Sequence, residues 1–136
     1  MAVTANSAVL PQAVTGGTAV ATTANTTYTD TPTNTVLLVS SATNGQIITK
    51  LTALARATVT ATELQLFVSP DGGTTKRFVG SKLMAAYPVA ATTAQTPTDF
   101  GFTVSDRMEL AAGESLYVGI SVSNTGIVFR YEGASF

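Results

Sequence analysis

Between Thr62 and Met84, Leu64, Leu66 and Val68 alternate with Glu63, Gln65 and Phe67. The run then breaks at Ser69-Pro70-Asp71-Gly72-Gly73 and resumes with Phe78 and Val79. A period of two sends successive side chains to opposite faces of a pleated strand, and a Pro-Asp-Gly-Gly cluster supplies the residues that reverse a chain. The stretch therefore reads as a β-hairpin, and a chain built around it is expected to be a sheet protein.

The remainder carries the same signal at regular intervals. Val36-Leu37-Leu38-Val39 is apolar on both faces and reads as a central strand, after which Asn44-Gly45 turns the chain. Residues 46 to 58 read as a long strand with Ile47, Leu51, Ala53, Ala55 and Ala57 on one face, its small alanines leaving room for aromatics of a facing sheet. Pro88, Pro97 and a Thr/Ala tract mark a loop, and Asp99 to Val104 reads as a strand with Phe100, Phe102 and Val104 inward. Met108-Glu109-Leu110 and Leu116 to Val122 flank a second hairpin-like turn at Ala111 to Ser115; Leu116, Val118, Ile120 and Val122 alternate most cleanly of all. Asn124-Thr125-Gly126 turns into a last strand from Ile127. About eight strands and no convincing helix predict an all-β fold, a jelly-roll-like antiparallel β-sandwich. The Cys–Trp pattern of an immunoglobulin-like sandwich is absent.

Residues 1–34 differ in texture. They carry one charge, Asp30, and consist mainly of Thr, Ala, Asn and Gly, with Gly16-Gly17 as a joint and Thr18 to Thr23 as one short strand of small residues. The segment reads either as a disordered terminus or as an extended N-terminal arm that orders on a neighbouring subunit, with 35–136 as the sandwich domain. Ordering costs about 1–2 kcal/mol per residue in backbone entropy, so a fixed arm would have to bury Val9, Leu10 and Val14 against a partner. Deleting residues 1–30 is then expected to leave a folded domain that binds its partner more weakly. Asn25-Thr26-Thr27 matches a glycosylation acceptor, discounted because the N-terminus lacks the basic start of a secretory signal.

Composition narrows the function. Cysteine and histidine are both absent, which removes the usual thiol nucleophile, the usual general base near neutral pH and the commonest zinc ligands. Only 11% of residues are charged, against about 25% in an ordinary soluble domain. A net charge of −1 offers no basic surface for nucleic acid, and Lys76, Arg77 and Lys82 read as a solvated face or an edge guard. No segment reaches the ~20 consecutive apolar residues of a membrane span. Asp71-Gly72-Gly73 is a turn, and Asp99, Asp106, Glu109 and Glu114 read as a hydrated rim rather than a cation site. No catalytic residue, cofactor or metal ligand is expected. Val9, Leu10, Val14, Tyr28, Tyr87 and Phe136 are the candidate interface residues, and exposed tyrosines leave carbohydrate binding as the alternative.

Leu66-Phe67-Val68-Ser69-Pro70-Asp71-Gly72-Gly73-Thr74 and Leu110-Ala111-Ala112-Gly113-Glu114-Ser115-Leu116-Tyr117-Val118-Gly119 resemble segments of small virion proteins of tailed bacteriophages. In particular they are similar to capsid decoration, or cement, proteins with a β-sandwich or jelly-roll body. The likeness covers residues 35–136 in style, and that family has no catalytic motif to carry over. It implies a protein made in the host cytoplasm that binds the outer surface of an expanded capsid. It also implies the major capsid protein and further copies of itself, as a dimer or trimer, as partners. A phage tail, fibre or adhesin module is the alternative it leaves open.

Overall fold

The computed structural model describes residues 10–136, which form nine strands and no helix. They are β1 (Ala13–Ala21), β2 (Val36–Val39), β3 (Gln46–Ala55), β4 (Thr62–Ser69), β5 (Arg77–Met84), β6 (Thr98–Asp99), β7 (Met108–Leu110), β8 (Ser115–Ile120) and β9 (Ile127–Ser135). Two antiparallel sheets result, one in the order β1-β9-β3-β6 with β7 also on β3, the other β2-β8-β4-β5. Asp99 lies opposite Thr52 and Met108 opposite Ile48, so β6 and β7 are the two ends of one interrupted edge strand.

The pairing is nested. The first strand pairs with the last, β2 with β8, β3 with β6 and β7, and β4 with β5. One long hairpin with its tip at residues 70–76 is thus rolled up until β9 meets β3 and β8 meets β4. That is the strand order of a jelly roll, and the expected all-β sandwich is the fold observed.

Phe129, Leu51, Leu64, Met84, Leu116, Val118, Ile120 and Ile127 are fully buried between the sheets. The alanines make room as anticipated, but for a neighbour within their own sheet. Phe129 of β9 stands between Ala19 and Ala53, and Ile127 between Ala21 and Ala55. Tyr131 takes the same position opposite Gly17, where an added Cβ would come within 3.1 Å of its ring. β1 is rich in small residues because β9 carries the large ones.

Four sequence expectations are revised. The described part of residues 1–34 does not stand apart as an arm, since Ala13–Ala21 pairs with β9 along its whole length and Ala19 and Ala21 are buried. In β3 a bulge at Thr49 shifts the alternation, so Ile48 rather than Ile47 joins the central core with Leu51, Ala53 and Ala55. The turn at residues 111–114 is not a hairpin, because β7 belongs to one sheet and β8 to the other. The strand predicted over 99–104 ends at once: Gly101 takes φ +92, Phe100 and Phe102 pack on the core, and Val104 is exposed, as is Val122 beyond the end of β8.

Candidate functional site

Titratable groups do not converge. Among the described residues no three Asp or Glu side chains gather in a way that would hold a metal ion. Asp99 accepts the Gly101 N–H at 2.8 Å, Glu114 accepts the Ala111 N–H at 2.7 Å, and Glu109 pairs with Arg107. Each acidic group of the anticipated rim, Asp106 apart, thus serves its own turn or strand. The basic trio is dispersed as well. Lys76 donates to Thr35 Oγ1 and lies over the Tyr117 ring, and Arg77 pairs with Asp30. Lys82 sits opposite Leu64 on the core-facing side of an edge strand.

The two outer faces of the sandwich differ. Residues 22–35 form a strap across the β2-β8-β4-β5 sheet, held by the Asn25 N–H to Ile120 O at 2.7 Å and the Lys76 N–H to Asp30 O at 2.9 Å. Beneath the strap Asn25 and Gln65, both fully buried, exchange bonds: Asn25 Nδ2 donates to Gln65 Oε1 at 2.9 Å, and Gln65 Nε2 donates to Asn25 O at 3.0 Å. Gly119 leaves the space, since a Cβ there would lie 2.9 Å from Gln65 Oε1. The outward-facing Phe67 is buried by the same strap, through Phe78 and Tyr28 stacked edge to face. Tyr28 donates to Glu63 Oε1 at 2.5 Å, which raises its pKa above the ordinary tyrosine value. Burial of Asn25 also removes the glycosylation acceptor from reach.

Among the described residues no strap covers the outer face of the β1-β9-β3 sheet. Its cross-strand rows are Val20–Val128–Leu54, Thr18–Arg130–Thr52 and Gly16–Glu132–Lys50. Val20 and Leu54 are each more than a third exposed. An open concavity of about 410 Å³ lies above Gly16, bordered by Val14, Thr49, Arg130 and Glu132. This low-charge face, apolar at one end and ionic at the other, is the candidate site of interaction.

The six candidate interface residues do not form one patch. Val9 lies outside the described residues. Leu10 and Val14 are exposed near the start of β1, and Phe136 is half-buried next to the end of β9, its N–H on Gly45 O. Tyr28 belongs to the strap. Tyr87 is half-buried at the opposite end of β3, its hydroxyl accepting the Ala55 N–H at 2.8 Å and bonding Gln95. Sequence reasoning missed Val20, Leu54 and Val128 because their common row exists only once β1, β9 and β3 are in register. No protein-family model matches the chain, and no curated protein or solved structure matches it significantly.

Proposed function

We propose that this protein is a structural virion protein that binds the outside of a tailed-phage capsid, bridging adjacent capsomers and stabilising the expanded head. The observation that carries the reading is the asymmetry of the sandwich: one outer face is occupied by the chain's own strap, while on the other no described segment lies over the Val20–Val128–Leu54 row. A nearly neutral surface suits wide, repeated contact with a protein shell, because copies at high density repel one another little. The jelly-roll body and the segments around Ser69–Gly73 and Ala111–Ser115 support the same reading through their likeness to decoration proteins. Carbohydrate binding gains nothing from the tyrosines. Tyr131 is buried, Tyr28 and Tyr87 are hydrogen-bonded within the fold, and Tyr117 lies beneath Lys76.

The test is co-sedimentation with phage heads lacking this protein, expanded and unexpanded. Saturable binding to expanded heads at a fixed ratio to the major capsid protein is expected, and Leu54→Lys should reduce it. Failure of the folded protein to bind either form of head would overturn the proposal.

A further inference from the structure

The sandwich has four edges, and three are guarded. β2 is four residues long and bulged at Leu38. β5 carries Arg77, an extra residue at Val79 and the core-facing Lys82. The edge formed by β6 and β7 is interrupted for eight residues, 100–107. Short length, bulges and inward-pointing charge are the devices by which sheet proteins prevent edge-to-edge pairing. β1 has none of them. It runs for nine residues in unbroken register with β9, without charge or proline, and among the described residues nothing pairs with its outer edge.

We infer that β1 pairs with β1 of a second copy, antiparallel across a two-fold axis at Gly17, joining the two larger sheets into one. An axis perpendicular to the sheet keeps outer faces together, so outward residues must oppose outward residues. Centring the nine-residue strand on Gly17 meets this condition and sets Val14 of each copy opposite Val20 of the other. Val14 is 92% exposed and Val20 37% exposed, and this register gives both an apolar neighbour. Thr18 then meets the partner copy's Gly16, which places the row of Arg130 in line with the row of the partner copy's Glu132. The charges are complementary across the seam, twice by symmetry. The Arg130 guanidinium already lies over β1, with both terminal nitrogens 3.6 Å from where a Gly16 Cβ would be. Neither Arg130 nor Glu132 has an ion-pair partner among the described residues. A lone edge strand with an inward charge would reject such a partner; this edge leaves an open seam of glycine and threonine between a cation and an anion.

The inference stands independently of the capsid reading, and its test needs only the purified full-length chain. Because the protein has no cysteine, Val14→Cys and Val20→Cys chains each carry one thiol. A short bismaleimide should link them into a dimer when the two variants are mixed. Either variant alone should link far less, since like positions stand six residues apart along the seam, roughly 20 Å. Thr18→Glu keeps a favourable neighbour in Arg130 of its own sheet but sets two carboxylates beside the axis. It should weaken dimerisation about ten-fold in sedimentation equilibrium while the circular dichroism stays that of the parent. A monomeric parent chain at all concentrations, or linkage as strong in the single-variant samples as in the mixture, would overturn the inference. So would dimerisation appearing only after removal of residues 1–9, which would assign the edge to the chain's own N-terminus.

Discussion

The buried amide pair under the strap illustrates how one side chain fixes a segment that has no apolar periodicity. Asn25 and Gln65 are both without solvent contact, and each supplies the other's hydrogen bond. Asn25→Ala would leave Gln65 Oε1 buried without its donor, a cost of about 1–3 kcal/mol in denaturant unfolding. A smaller loss would mean that the strap relaxes and admits water. Asp71 acts at the hairpin tip in a different way. Its carboxylate accepts the Thr75 N–H at 2.8 Å and the Ser69 hydroxyl at 3.0 Å, which hold its pKa below the ordinary aspartate value, the Thr75 amide contributing most. The folded-state pKa is thus the depressed one. Its contribution is complete above the unfolded-state value and is lost as pH falls through the folded-state value. Protection of the Thr75 amide, taken relative to its intrinsic exchange rate, should therefore fall on acidification below the usual carboxylate range in the parent chain and show no such step in Asp71→Asn.

At the level of elements, the clearest sequence signals were those whose partners are close in the chain. The β4–β5 hairpin was legible from alternation and turn residues because both strands and the turn lie within 62–84. The partner of β1 lies more than a hundred residues away, and its small side chains answer to Phe129 and Tyr131, which no local window contains. A bulge defeated strict alternation in β3, and the break at residues 111–114 looked like a hairpin although it carries the chain between sheets. The open outer face was illegible for the same reason, being a property of register among three distant strands. Deletion of residues 1–30, expected from sequence to spare the fold, should now destroy it. The deletion removes β1 and most of the strap, baring the edge of β9 beside Phe129 and leaving Gln65 unpaired. Loss of the cooperative thermal transition in the truncated chain is the expected result; a transition near that of the parent would show that β9 tolerates being an edge.

The nested pairing governs how the whole molecule gains and loses its structure. Every strand pair outside the β4–β5 hairpin joins regions remote in sequence, and β1 cannot dock until β9 is in place beside β3. Loop-closure entropy must be met before such pairs stabilise anything, which slows folding relative to a chain of local contacts. Both sheets share one core, with Phe129 and Leu51 from one packed among Leu64, Leu116 and Ile120 from the other, so neither sheet is expected to persist alone. Refolding should therefore occur on a timescale of about milliseconds to seconds, with a single equilibrium transition. Two probes test this: the fluorescence of a single tryptophan introduced by Tyr28→Trp over the smaller sheet and that of a label at Val14→Cys on the larger one, the parent chain having neither tryptophan nor cysteine. Coincident curves are expected from both. Phe129→Ala, which empties the largest site between Ala19 and Ala53, should move both curves together by about 3–5 kcal/mol. If only the label at β1 shifted while the tryptophan at position 28 kept its midpoint, the sheets would be separate folding units, and the strand order would not carry the cooperativity assigned to it.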